Sequence, residues 1–124
     1  MQIFLIAIFG ALGVTCRFMI DRQIGAFTST DFPLSTFLIN CSGSFIIGLI
    51  SVLGSESGIL SKDIAIILSV GLIGGFTTLS AFSIQTFQLF EKGQYGFASA
   101  YFIGTPVLGV VCAIAGVYVA RLVW

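Results

Sequence analysis

The charged residues of this 124-residue chain are gathered into short clusters that separate four long uncharged stretches. The stretches cover residues 1–16, 32–55, 64–90 and 93–120. A helix needs about 20 apolar residues to cross a bilayer. The first stretch is expected to extend to about Ile20, which leaves Arg17 near the membrane boundary. This spacing predicts an all-α membrane protein with four transmembrane helices, folded as a single domain over residues 1–124.

Composition supports this class of protein and excludes others. The chain is 57% hydrophobic and only 8% charged, whereas a soluble domain carries about 25% charged residues. The formal net charge is zero and histidine is absent, so nothing predicts a nucleic-acid partner or a histidine-based metal site. The three cysteines, Cys16, Cys41 and Cys112, lack metal-ligand spacing, and we interpret them as small core residues.

The third stretch carries an unusual sequence at its centre, Gly-Gly-Phe-Thr-Thr-Leu-Ser-Ala-Phe at residues 74–82. A continuous helix over residues 64–90 would be about 40 Å long, against about 30 Å of hydrocarbon. Backbone polar groups in hydrocarbon need partners, and glycines beside hydroxyls favour a local opening that faces an ion. We therefore predict that the third helix is broken at its centre. A tilted, unbroken helix that packs through its small residues is the alternative.

The basic residues are almost evenly divided between the two sides of the predicted bundle. Four helices place Lys62 and Arg121 on one side and Arg17, Arg22 and Lys92 on the other. Orientation follows an excess of Lys and Arg in cytoplasmic loops, and here that excess is nearly absent. We predict dual topology and an antiparallel dimer, with a fixed but weakly biased topology as the alternative.

Neutral hydrogen-bond donors are the polar groups of the predicted membrane core. The uncharged stretches lack the carboxylate that a proton-coupled exporter needs, and donors suit an anion. Asn40 is a functional candidate because a buried amide is costly unless it is bonded, although an interhelical hydrogen bond would explain it equally well. Phe82 lies on the same helical stripe as Gly75 and Thr78, where its positive ring edge is suited to an anion.

These residues resemble those of the bacterial CrcB/Fluc fluoride channels over essentially the whole chain. The third-helix sequence at residues 74–82 is similar to the family pattern Gly-Gly-x-Thr-Thr-Phe-Ser-Thr-Phe, and it is the most specific match. The other matching positions are Gly10, Gly13 and Arg17 in the first helix, Thr36, Asn40, Gly43 and Gly48 in the second, and Tyr101 and Thr105 in the fourth.

The resemblance implies a passive fluoride-selective channel of the bacterial inner membrane, formed by an antiparallel, dual-topology homodimer. It implies a structural Na⁺ at the dimer interface, held by the backbone carbonyls of Gly74 and Thr77 from both subunits. It also implies an ion pathway that includes Arg17, Asn40, Leu79, Ser80, Phe82, Tyr101 and Thr105.

Four positions depart from the family pattern and leave alternatives open. Leu79 replaces a phenylalanine, Ala81 replaces a threonine, and Gln85 stands where a glutamate is common. Ser35 precedes Thr36 where the family has a glycine. The chain is then either a homodimer with an altered filter, or a non-conducting or partner subunit of a heterodimer with a paralogous chain. A small proton-coupled multidrug exporter shares the four helices but requires the missing carboxylate. An enzyme is not expected, because the chain has no nucleophile–base pair, metal-ligand cluster or phosphate loop.

Overall fold

The computed structural model describes residues 1–123, and all regular structure in that range is helical. Four helical spans are long and apolar enough to cross a membrane, which confirms the predicted number of transmembrane helices. They are the first span, Gln2–Phe27, the second, Leu34–Ser55, the third, Lys62–Glu91, and the fourth, Tyr95–Val123. The first, second and fourth spans are the continuous helices α1, α2 and α6.

The first helix is longer than the sequence predicts. It continues past Ile20 and ends at Phe27, where Thr28 takes an extended backbone with φ −112° and ψ 123°. No proline or glycine precedes Gly25 in the charged segment, so nothing stops the helix at the membrane boundary. Hydropathy marks the part of a helix that hydrocarbon can hold, whereas backbone hydrogen bonding decides where the helix ends.

The third span is divided into segments of different geometry. It begins as the α-helix α3, Lys62–Ile66, and continues as a π-helical segment, Ile67–Ile73. The short helix α4, Gly74–Phe76, and the helix α5, Leu79–Glu91, complete it. Between α4 and α5, Thr77 (φ −81°, ψ 158°) and Thr78 (φ −150°, ψ 121°) have extended backbones. π-helical turns of this kind are rare and occur mainly at functional sites.

Glycines bring the first and third spans into backbone contact. A Cβ atom added to Gly13 would lie 2.1 Å from the Leu72 carbonyl oxygen, and one added to Gly75 would lie 2.5 Å from that of Gly10. Such distances are impossible for a real side chain. The small residues at these positions therefore determine how closely the two helices pack.

The second and fourth spans pack in the same way. A Cβ atom on Gly48 would lie 2.2 Å from the Ala113 carbonyl oxygen, and one on Gly116 would lie 2.1 Å from that of Phe45. Before this crossing a Cβ atom on Gly109 would lie 3.4 Å from the Ser44 hydroxyl, and beyond it Arg121 binds Glu56, so contacting positions increase together and these spans run parallel. The bundle therefore contains two close helix pairs, the first span with the third and the second with the fourth. The irregular segment lies in the third span.

The connections and chain ends form polar contacts at the two ends of the bundle. At one end Arg121 donates hydrogen bonds of 2.9 and 2.6 Å to the Glu56 carboxylate. These hydrogen bonds hold the pKa of the Glu56 carboxyl below its usual value. At the other end the Lys92 ammonium lies 3.6 Å from Asp31, and the Gln94 amide donates to the same carboxylate at 2.6 Å.

Candidate functional site

An open groove of about 380 Å³ lies beside the extended residues of the third span. We call it the central groove. The second, third and fourth spans all contribute to its lining, which combines a few polar groups with apolar walls. The lining residues are Asn40, Ser44, Thr77, Thr78, Leu79, Phe82, Thr105, Pro106, Gly109, Val110 and Ala113.

Asn40 is paired with the backbone of Thr78 through both ends of its amide. Its Nδ2 donates to the Thr78 carbonyl oxygen at 3.1 Å, and its Oδ1 accepts from the Thr78 N–H at 2.9 Å. The side chain thus supplies the two hydrogen bonds that an extended residue inside a helical bundle would otherwise lack. The interhelical hydrogen bond weighed for Asn40 is present. An amide has two N–H donors, so one remains beyond the bond to Thr78.

The carbonyls of Gly74 and Thr77 lose the donors that a continuous α-helix would supply to them. In such a helix each carbonyl accepts from the N–H four residues later. The Thr78 N–H instead donates to Asn40, and the Ala81 N–H donates to the Thr78 hydroxyl at 3.3 Å. These two carbonyls are the pair that the resemblance assigns to a cation. Among residues 1–123 no group of three His, Cys, Asp or Glu side chains is suited to a metal.

Thr105 belongs to the lining of the central groove and carries a buried hydroxyl. The residue is 6% exposed, and its Oγ1 atom has no hydrogen-bond partner among residues 1–123. A helical threonine usually bonds its hydroxyl to a carbonyl of the preceding turn. A buried hydroxyl without a partner is costly, so this atom lacks a hydrogen bond that the described residues do not supply.

Aromatic rings close one side of the site. The Phe82 ring lies 5.1 Å from the Tyr101 ring and is stacked on Phe102 at 6.4 Å, measured between ring centroids. Tyr101 itself is fully buried and donates a hydrogen bond of 2.9 Å to the Gln85 side-chain oxygen. Phe82 therefore lines the groove, while Tyr101 lies behind it and holds Phe82 in place. Leu79, at the groove rim, is 76% exposed.

Arg17 lies on the other side of Thr78 from the groove. Its Nε donates to the Gly75 carbonyl oxygen at 3.3 Å. It lines a second cavity of about 180 Å³ that also contains Asp21, Thr78 and Gln85. A third cavity of about 240 Å³ shares Gln85 and opens among the loop residues at that end of the bundle, including Thr30, Asp31 and Lys92.

The structure brings five of the predicted site residues together around the groove: Asn40, Thr77, Leu79, Phe82 and Thr105. The others are close but separate. Ser80 is exposed beside the groove, with its hydroxyl 3.3 Å from that of Thr78. Gly74 is exposed about one helical turn before Thr78. Sequence reasoning left out Thr78 and Ser44 as lining residues. Thr78 lies on the helical stripe of Phe82, and Ser44 lies one turn after Asn40 on the same helix face, which was the available signal.

The interpretation of the cysteines as core residues is wrong for Cys16 and incomplete for the others. Cys16 is exposed on the first helix, and Cys41 and Cys112 are half-buried. The first helix has few contacts on that face, and periodicity does not show which face of an all-apolar helix is covered.

Comparison with known proteins gives a consistent result. Residues 4–117 match the family model described as CrcB-like protein, Camphor Resistance (CrcB). A Fluoride-specific ion channel FluC of Nitrobacter winogradskyi is 40% identical, over 92% of this chain and 90% of its own length. One of Methylobacillus flagellatus is 39% identical, over 89% of this chain and 87% of its own length.

A further relative, Fluoride-specific ion channel FluC 2 of Nitrobacter hamburgensis, is 39% identical over 98% of each chain. That bacterium also has a relative named FluC 1, which is 38% identical over 91% of this chain and 90% of its own length. The family model and these relatives extend over all four spans and the whole groove. The chain therefore belongs to the CrcB-like protein family.

Proposed function

We propose that this chain is a fluoride-specific ion channel that lets F⁻ leave the bacterial cell passively through its membrane. Membership of the CrcB-like family supports this, as do the relatives named for that activity. It is a multi-pass membrane protein with four apolar spans, and we propose that residues 1–124 act as one channel domain. It is a channel and not an enzyme.

The observation that carries the proposal is the pair of free donors at the central groove. The Thr105 hydroxyl has no partner in the described part of the chain, and one N–H of the Asn40 amide remains beyond its bond to Thr78. Fluoride holds its water strongly, so a selective pore must replace that water with closely placed donors. The edge of the Phe82 ring adds a weaker positive contact.

The cavities support a route from the middle of the bundle to one end. The groove and the second cavity share Thr78, and the second and third cavities share Gln85. Asn40 holds the Thr78 backbone, which lies between the groove and the second cavity. An antiparallel partner would repeat this series toward the opposite face of the membrane, which is why one chain needs a second to complete the passage.

We propose that the two extended residues are a break in the membrane-spanning third helix and that a second, antiparallel copy covers it. Gly74, Leu79 and Ser80 are exposed on the isolated chain, and polar groups at this depth are costly in lipid. The basic residues are also divided almost evenly between the two sides, with Lys62 and Arg121 on one and three opposite. A nearly absent Lys/Arg bias supports insertion in both orientations.

The carbonyls of Gly74 and Thr77 fit a structural Na⁺ where the two copies meet. Unwound carbonyls are the groups that bind Na⁺ in broken membrane helices, and both carbonyls have lost their helical donors to Asn40 and Thr78. When bound, the ion would supply positive charge at the centre of the dimer. The residues of this chain contribute the carbonyls, and Asn40 keeps them in the opened geometry.

The test measures fluoride efflux from liposomes that contain only this polypeptide, with chloride efflux as the specificity control. Wild type should release fluoride and retain chloride. Thr105→Val removes the unpaired hydroxyl at nearly constant volume, so it should reduce fluoride efflux at least tenfold without lowering the melting temperature. Thr86→Val is the matched control, because that hydroxyl bonds the Phe82 carbonyl at 2.7 Å and does not line the groove.

Wild-type liposomes that release chloride as fast as fluoride would refute fluoride specificity. Unchanged fluoride efflux in Thr105→Val would remove this hydroxyl from the pathway. If Thr86→Val lowers fluoride efflux to the same degree, the loss in Thr105→Val would reflect altered packing and not the removal of a hydrogen-bond donor.

A second candidate is a partner subunit that conducts only with a paralogous chain. Two numbered relatives in Nitrobacter hamburgensis support it, as does Leu79 at a position where the family pattern has a phenylalanine. Efflux from liposomes that contain this chain alone would exclude an obligate partner.

A further inference from the structure

A further groove of about 350 Å³ lies between the second and third spans, at the end of the bundle where Arg121 binds Glu56. We call it the side groove. It shares no lining residue with the central groove or with the two cavities beyond it, so it lies outside the proposed ion pathway. The lining residues are Ile50, Ser51, Gly54, Ser55, Lys62, Ala65, Ile66, Ser69 and Val70.

Small residues and hydrogen bonds within one helix make the walls of the side groove apolar. A Cβ atom on Gly54 would lie 2.5 Å from the Ala65 Cβ atom, so no side chain of the second span fills the space at that turn. The Ser51 and Ser55 hydroxyls donate to carbonyl oxygens of their own helix, at 2.8 and 2.5 Å. Val70 on the third span is 59% exposed. The walls therefore offer apolar surface and few free polar groups.

The Lys62 ammonium is the one charge among the lining residues of the side groove. Lys62 is the first residue of the third span, and among residues 1–123 it forms no ion pair. The acidic residues at this end have other partners. The Glu56 carboxylate binds Arg121, and the Asp63 carboxylate accepts from the Gln2 amide at 3.4 Å. A lysine at such a position lays its apolar stem along the protein and keeps its charge at the level of the lipid headgroups.

We propose that the side groove binds an anionic phospholipid, with an acyl chain along its apolar walls and the phosphate against the Lys62 ammonium. Lys62 and Val70 are eight residues apart, which is about 12 Å along a helix. One leaflet contributes about 15 Å to the hydrocarbon core. The groove therefore begins at the membrane boundary and follows an acyl chain through most of its leaflet.

Charge complementarity selects the class of lipid. Phosphatidylglycerol has a net negative charge that the unpaired ammonium would balance, whereas phosphatidylcholine carries its own cation and is neutral. A basic residue near the membrane surface contributes about 1 kcal/mol to the binding of anionic lipid, which corresponds to about fivefold in affinity. A free phosphate ion would meet the same ammonium but would leave the apolar walls uncovered.

The binding experiment uses full-length protein in detergent with two probes, dioleoyl phosphatidylglycerol and dioleoyl phosphatidylcholine. Native mass spectrometry counts the lipids that each chain retains. We expect one phosphatidylglycerol per chain, bound about fivefold more tightly than phosphatidylcholine. Lys62→Gln should remove this preference and leave the affinity for phosphatidylcholine unchanged. Lys92→Gln is the matched control, because that ammonium lies beside Asp31 at the other end of the bundle, and it should bind both lipids like wild type.

Val70→Phe tests the apolar part of the site. The added ring occupies the groove, so the affinity for both lipids should fall about threefold. Val119→Phe is its control, because Val119 is 41% exposed and does not line the side groove.

Equal phosphatidylglycerol affinity in wild type and Lys62→Gln, or displacement of the lipid by inorganic phosphate, would overturn the site. A Val70→Phe variant that keeps the lipid but changes from dimer to monomer would also overturn it, because the groove would then be an interface between copies. Fluoride efflux is not measured in this experiment. Loss of the proposed function would therefore leave the lipid site standing, and loss of the lipid site would leave the proposed function standing.

Discussion

The crossing of the first and third spans and the central groove use the same third helix in opposite ways. At the crossing, Gly75 lies against Gly10 so closely that no side chain fits, and the backbones touch. Three residues later, Thr78 leaves helical geometry and takes its hydrogen bonds from Asn40. The difference teaches that an irregular, polar segment persists within a membrane bundle when rigid contacts hold the helix on either side.

The largest effect is expected where the crossing is broken. Gly13→Ala puts a Cβ atom 2.1 Å from the Leu72 carbonyl oxygen, and overpacking of this kind costs about 3 kcal/mol. The variant should show a lower melting temperature and a smaller monodisperse fraction in detergent. The control is Gly104→Ala, whose added Cβ atom meets nothing within 4 Å. Equal melting temperatures for the two variants would mean that the crossing is not rigid.

A smaller effect is expected where the groove side loses its support. Asn40→Ala leaves the Thr78 N–H and carbonyl without their side-chain partners, at a cost of about 2 kcal/mol. Asn40→Asp retains the acceptor but faces the Thr78 carbonyl with a second acceptor, so it should lose stability as well as fluoride efflux. Ser42→Ala is the control, since that hydroxyl bonds within its own helix. A wild-type melting temperature for Asn40→Ala would show that this pair does not hold the segment.

Leu79→Phe changes the groove without disturbing the crossing. The side chain is 76% exposed at the groove rim, so the ring fits and the free energy of unfolding should change by less than about 0.5 kcal/mol. Under the homodimer proposal the added ring edge should raise fluoride efflux. Ile84→Phe, on the exposed face of the same helix, should leave efflux unchanged. If neither substitution alters efflux, position 79 is outside the pathway.

The smallest effect concerns the far end of the bundle, away from both regions. Hydrogen bonds from Arg121 lower the pKa of the Glu56 carboxyl from its ordinary 4.5. A lowered folded-state pKa means that the pair stabilises fully above pH 4.5 and that this contribution is lost as pH falls through the lowered value. Because the pair is solvent-exposed, the effect is small. Melting temperatures from pH 7 to pH 3 should fall slightly more in wild type than in Glu56→Gln, and parallel curves would contradict this assignment.

The amino-acid sequence by itself determined the number of spans and much of the site. Hydropathy and the absence of charge are local properties. They indicated four helices and the nearly even division of basic residues between the two ends of the bundle. The residues at 74–82 carried the resemblance to the family, which also implied Thr105, whereas Asn40 and Phe82 were selected because polar or aromatic groups at such positions need an explanation. Helix ends were harder to predict from the sequence, as the first helix shows. A helix continues through charged residues as long as its backbone hydrogen bonds are kept.

Only the tertiary structure decided which groups meet. Asn40 and Thr78 are 38 residues apart, and Arg17 and Gly75 are 58 apart. No periodicity encodes these pairs, because each depends on the distance and rotation at which two helices cross. Those quantities are set by glycine contacts elsewhere on the same helices, so the free Thr105 hydroxyl and the buried Tyr101 become visible only once the spans are packed.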